Sequence, residues 1–378
     1  MERSTEVISH QYPRKENAVS PDLLGVGHVL MVVVAFVISV PCMSPALPLE
    51  EHNVHETLLK GIDLTLKQDY PEAKALFESV TRNEPENPAA YLYLAAVLQA
   101  EYSDYELSFD QQLFDSLIAK GETLAEHLIE SKDSADWGYY YAGSALSYRA
   151  YSESETGSWS SVIIDGMNAA KMYERCLEIN PQFYDAMNGL GTYYYWRSKK
   201  TEFLSWLPFL SNKERKGIDL LSLAAARGTF EKFVAVNSLT LVYMEEKQYD
   251  SAFSVVQKGL ESYPDNRAFL WCLMGIVENM PHQDTALVRS VVSRVLASVL
   301  HSPVRNQYSE AACRLKLAQY AMEDRHYKAA IEECDAIVRY EPFVGKTKRD
   351  IGKKVKAAKV ILEQAKELVN SEKLKVKS

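Results

Sequence analysis

The apolar residues of this chain fall into helical stripes, and the stripes return on a spacing of 34 residues or somewhat more. Counting from Val54, Gly61 falls at position 8, Leu64 at 11, Tyr70 at 17, Ala73 at 20, Phe77 at 24 and Pro85 at 32. Counting from Phe233, Val236 and Leu239 fall at 4 and 7, and positions 11, 17, 20, 24 and 32 hold Tyr243, Tyr249, Ala252, Val256 and Pro264. Counting from Ala311, Arg314 and Leu317 fall at 4 and 7, and positions 8, 11, 17, 20, 24 and 32 hold Ala318, Ala321, Tyr327, Ala330, Cys334 and Pro342. Small residues at 8 and 20 let two helices approach, bulky ones fill the space between them, and proline at 32 stops the second helix. Unit starts at 54, 88, 136, 184, 233, 267, 311 and about 345 follow, and the intervals longer than 34 predict residues inserted into loops.

This pattern resembles the tetratricopeptide (TPR) repeat family, whose unit is a pair of antiparallel helices in about 34 residues. The resemblance implies an all-α, right-handed solenoid of about seven helical hairpins over residues 47–345, closed by a basic capping helix and tail at 346–378. Each hairpin leaves one apolar face bare, so stacking neighbours must bury it.

Charge divides the chain unevenly. Residues 346–378 carry eleven basic and four acidic residues, so the net −9 of the whole leaves −16 on the first 345. An acidic body argues against nucleic acid as a partner of the solenoid. Ahead of it, residues 1–22 are polar, and Leu23–Val40 is an eighteen-residue apolar run preceded by Arg14 and Lys15. Residues 23–46 therefore read as a signal sequence or a transmembrane anchor that places the solenoid outside the cytoplasm, on the periplasmic side if the cell is bacterial.

Candidate chemistry is sparse. HExxH, GxSxG and the dinucleotide glycine signature are absent, and Gly345-Lys346-Thr347 lacks the first glycine of a phosphate loop, where Tyr340 stands. His52 and His55 have no third ligand at useful spacing, and no cofactor or metal is expected. Cys313 and Cys334 could face each other at positions 3 and 24 of one unit, but packing is the stronger role for the cysteines. The chain reads as a non-enzymatic binding or scaffold protein.

Two surfaces stand out. Carried over from the family, the groove-lining slots of the first helices hold Asn188, Tyr195, Trp196, Asn237, Glu245, Trp271, Glu278, Asn279, Gln319 and Glu323. The basic residues of the family's carboxylate clamp are missing, while Glu245, Glu278 and Glu323 predict an acidic line suited to a protein partner with basic and apolar side chains. An insert near 199–213 carries Phe203, Trp206, Leu207 and Phe209, an apolar set suited to a membrane interface or a partner. With the lysine-rich last helix, it supports the alternative of a membrane-associated structural protein contacting lipid or an integral complex.

Overall fold

A computed structural model of the chain describes residues 51–377, apart from 107–109, 132–133, 202–211, 230, 282–283 and 346–348. Among the described residues there are fifteen α-helices and no strand. They pair in chain order: α1 (Glu51–Lys67) with α2 (Tyr70–Asn83), α3 (Pro88–Tyr105) with α4 (Gln111–Ser131), and α5 (Ala135–Thr156) with α6 (Trp159–Ile179). The series continues with α7 (Tyr184–Lys200) and α8 (Glu214–Arg227), α9 (Lys232–Glu245) and α10 (Tyr249–Ser262), α11 (Arg267–Asn279) and α12 (Thr285–His301), and α13 (Gln307–Glu323) and α14 (Tyr327–Val338). After a short 3-10 turn at Glu341–Phe343, α15 (Gly352–Lys377) covers the end of the stack. Seven hairpins and a capping helix are the solenoid that the register predicts.

Local chemistry explains why each hairpin closes. At position 8 of the first hairpin, a Cβ on Gly61 would lie 2.4 Å from the ring of Phe77, which fills position 24. In the fourth hairpin Gly191 and Gly217 cross so tightly that a Cβ on Gly191 would meet the Gly217 carbonyl oxygen at 2.8 Å. The turn between helices is also repeated. Position 15 takes left-handed backbone in hairpins 1, 5 and 7, at Gln68 (φ 67°), Lys247 (φ 57°) and Arg325 (φ 62°). In each, the next N–H reaches back to a carbonyl five residues earlier: Asp69 to Leu64 at 2.9 Å, Gln248 to Tyr243 at 2.8 Å and His326 to Ala321 at 2.8 Å. These bonds satisfy carbonyls that a helix end would otherwise strand.

The longer intervals are accommodated differently from the expectation. In hairpins 2 and 3 the extra residues lengthen helices: α4, α5 and α6 run 21, 22 and 21 residues, and only Gly157 and Ser158 separate α5 from α6. The apolar stripe continues through the added turns, with Tyr148, Tyr151 and Val162 buried, so helix is favoured over loop. In hairpin 4 residues 201–213 fall between the two helices, as the expectation had it.

The stack curls until its first turns meet its sixth and seventh hairpins. Tyr263 donates to Asp63 at 3.1 Å, Asn266 donates to the Leu66 carbonyl at 2.8 Å, and the Arg267 N–H donates to the Gln68 side chain at 3.2 Å. At the centre, Arg267 grips both carboxylate oxygens of Asp104, its Nε at 2.6 Å. The pair is nearly buried, and Asp104 also accepts from Tyr70 and Gln68, each at 3.0 Å. Asn306 then donates to the Asp104 carbonyl at 2.8 Å, and Arg349 pairs with Glu106 at 3.0 Å. A seam of polar contacts thus joins residues separated by about 160 to 240 positions in sequence.

Candidate functional site

The first helices of successive hairpins lie side by side, and their inner positions form the candidate binding surface. In hairpin 4 that surface is closed. Asn188 is buried and donates to Glu231 at 2.6 Å; Glu231 is itself buried, near the Tyr140 hydroxyl at 3.4 Å, and its backbone N–H donates to Asp185 at 3.2 Å. Burial, followed by the charge of Glu231, pushes the Tyr140 phenol well above its ordinary range. Tyr195 and Trp196 are buried against Leu221, Leu239 and Val242. The Tyr195 hydroxyl donates to Glu246 at 2.6 Å, and Lys199 donates to the same oxygen at 2.8 Å. Burial raises the Glu246 carboxyl, but donation from Lys199 and Tyr195 outweighs it and leaves Glu246 below its ordinary value. Asn188, Tyr195 and Trp196, expected to line a groove, instead bind hairpin 4 to hairpin 5. A buried amide and phenol need partners, and these have found them within the chain.

The corresponding positions of hairpins 5–7 remain open. Asn279, Gln319 and Glu323 are exposed, and Asn237, Glu245 and Trp271 are half-buried. Trp271 packs at the edge of the core formed by α9–α13, so its ring has a fixed platform. Glu323 also lines a polar groove of about 780 Å3 with Thr285, Arg289, Ser290, Ser293 and Asp324. Glu278 departs from the expectation: Lys316 of the next hairpin holds its carboxylate at 2.6 Å. The acidic line of Glu245, Glu278 and Glu323 is therefore broken at its centre. Lys316 sits at position 6 of its unit, a slot that no groove rule singles out. A second concavity, about 480 Å3, opens beside the seam between α1 and the start of α9, lined by Leu59, Lys60, Asp63, Phe233 and Tyr263 among others.

Residues 59–101, covering most of α1, all of α2 and most of α3, match the model of the tetratricopeptide repeat family. That stretch carries a tetratricopeptide repeat. Solved structures similar to this chain include the C-terminal part of a TPR repeat-containing protein from Cytophaga hutchinsonii, at 16% identity and a TM-score of 0.43, covering 79% of this chain and 98% of that one. Another is the human IFIT1 dimer with m7Gppp-AAAA, at 16% identity and a TM-score of 0.42, covering 79% of this chain and 68% of that one. No curated protein matches the sequence.

The remaining candidates separate into two groups. Phe203, Trp206, Leu207 and Phe209 lie outside the described residues, as do residues 1–22 and 23–46. Cys176, Cys272, Cys313 and Cys334 are free and buried, so Cys313 and Cys334 are packing residues rather than a disulfide. Burial raises the thiols of Cys272 and Cys313 to about 12. Among the described residues no His, Cys, Asp and Glu side chains gather in a set that could hold a metal ion, and no helix is long and apolar enough to cross a membrane.

Proposed function

We propose that this TPR protein is a non-catalytic scaffold that captures a protein partner along the inner face of hairpins 5–7. One observation carries the reading: Asn237, Glu245, Trp271, Asn279, Gln319 and Glu323 stay wholly or partly accessible there, whereas their counterparts in hairpin 4 are buried. A partly exposed tryptophan fixed on a core, with carboxylates and amides around it, favours a segment bearing basic and apolar side chains. In the same proposal residues 23–46 export or anchor the chain, leaving the solenoid outside the cytoplasm. The binding test is Trp271→Ala with Glu245→Lys and Glu323→Lys in affinity capture from native membranes. Loss of partners by a protein that keeps its helical circular dichroism is the expected result; recovery of the same partners with the same salt dependence refutes the surface. Alkaline phosphatase fused after Ser378 should be active, and an inactive fusion refutes the location.

A second reading, membrane association, is favoured by one surface. Trp159, Ile163, Ile164 and Met167 at the start of α6 are 41–61% exposed, an apolar stripe in a single helix. On this reading the protein stays with membranes through a high-salt wash, and replacing the two isoleucines with Asp releases it.

A further inference from the structure

The exposed stripe of α6 shares its edge of the stack with a group of cations. Trp159, Ile163, Ile164 and Met167 occupy the first turns of the helix, and Ser160 is exposed beside them. Gln111 bonds Ser152 near the end of α5, which brings exposed Leu113, at the start of α4, to the same edge. The end of α7 arrives there as well: a Cβ on Gly166 would lie 3.8 Å from the ring of Tyr193. The last turn of α7 and the start of α8 are tied together, because the Lys213 N–H donates to the Ser198 hydroxyl at 2.8 Å. The Lys213 ammonium in turn reaches Glu174 of α6 at 3.5 Å.

Charge changes sign at this edge. Residues 197–216 contain six basic residues, Arg197, Lys199, Lys200, Lys213, Arg215 and Lys216, against Glu202 and Glu214, a net +4 within the 345 residues that carry −16. Lys199 pairs with Glu246 and Lys213 with Glu174. Lys200, Arg215 and Lys216 are exposed. Arg215 pairs with exposed Asp219 of its own helix at 3.1 Å, a contact that water and salt weaken. The Lys216 ammonium stands 5.3 Å from the centre of the Tyr194 ring.

Building on the membrane reading given above, we infer that this edge seats on an anionic lipid surface. The α6 stripe enters the boundary between headgroups and acyl chains, and Lys200, Arg215 and Lys216 face the headgroups. Shape favours lipid, since the stripe is a ridge one helix wide rather than a groove, and a tryptophan beside aliphatic side chains suits that boundary. Charge complementarity selects the kind of lipid. Anionic headgroups repel an acidic body, so attachment falls where the sign is reversed, and the reversal falls beside the stripe.

The test uses the full chain with Cys42→Ser, in which Cys176, Cys272, Cys313 and Cys334 are buried, and a polarity-sensitive dye on Ser160→Cys. The dye reports residue 160 itself, so attachment through Leu23–Val40 does not imitate the result. Vesicles of phosphatidylcholine with about one-third phosphatidylglycerol should shift the dye to the blue, half-maximally at about tenfold less lipid than phosphatidylcholine alone. Lys200→Glu with Lys216→Glu should abolish that preference, and Ile163→Asp with Ile164→Asp should abolish the shift on both vesicles. All four side chains replaced are exposed, and unchanged helical circular dichroism checks the fold. Equal shifts on the two vesicles overturn the anionic assignment and leave the membrane reading standing; no shift on either overturns both. A shift without vesicles that grows with protein concentration marks a second copy as the occupant and also overturns the assignment.

Discussion

In hairpin 4 the inner positions Asn188, Tyr195 and Trp196 are covered by hairpin 5 and by the turn that carries Glu231, whereas in hairpins 6 and 7 Asn279, Gln319 and Glu323 meet solvent. The register assigns both sets to the same surface. The difference lies in what stands opposite. Hairpin 4 faces a buried carboxylate and a row of aromatic and aliphatic side chains that complete its hydrogen bonds and its packing. Hairpins 6 and 7 instead direct their long-range polar contacts to the seam through Arg267 and Asn306, leaving inner side chains unused. A repeat position therefore states where a side chain sits, and its neighbours decide whether it is structure or surface.

The sharpest way to break this division is at the seam. Arg267→Ala strips a buried carboxylate of its counter-ion, which costs about 3–5 kcal/mol. Urea unfolding should show that loss, and small-angle scattering should show a larger radius of gyration as the curl relaxes. The exposed pair of Arg289 and Asp324 is the control, since removing it should cost at most about 1 kcal/mol. An unchanged radius and stability in Arg267→Ala would show that the seam does not hold the curl.

A smaller effect separates the two inner faces directly. Asn188→Ala removes the 2.6 Å donor to the buried Glu231 and should cost about 1–3 kcal/mol, while Asn279→Ala should stay within about 0.5 kcal/mol. Equal losses by chemical denaturation would erase the distinction drawn here.

The smallest expected effect concerns pH, in the open half. Glu310 is buried, which raises its carboxyl, but Arg305, Tyr340 and Arg314 together outweigh this and hold it below its ordinary value. A folded value lower than the unfolded one adds stability that is complete above the ordinary carboxylate range and is lost as pH falls through the folded value. Thermal melts should therefore lose stability on acidification in wild type, with a shallower acid dependence in Glu310→Gln. Parallel curves in the two proteins contradict the assignment.

Much of the fold could be read because it rests on short-range spacing. Small residues such as Gly61 and Ala73, the bulky Phe77 and the terminating Pro85 act within one hairpin, so one stretch of sequence contains both sides of each contact. The site was only half readable, for the opposite reason. Nothing near Arg267 announces Asp104, 163 residues earlier, and nothing near Asn188 announces Glu231. Lys316 looked like an ordinary helical lysine until Glu278 of the preceding hairpin was placed beside it. Helix lengthening in hairpins 2 and 3 was misjudged because periods longer than 34 do not themselves distinguish a loop from extra helical turns.

The seam also changes what kind of folding problem this chain presents. A solenoid whose units touch only their neighbours can nucleate anywhere, fray from its ends and lose stability one unit at a time. Here Asp63, Leu66 and Asp104 near the beginning are tied to Tyr263, Asn266, Arg267 and Asn306 far along the chain. Closing a loop of that length carries an entropic cost that must be met before the contacts form, which slows folding. Once formed, the contacts couple ends that would otherwise open independently. Losing the final hairpins should then loosen the first one, so truncation from either side is expected to melt the array as a unit rather than shorten it.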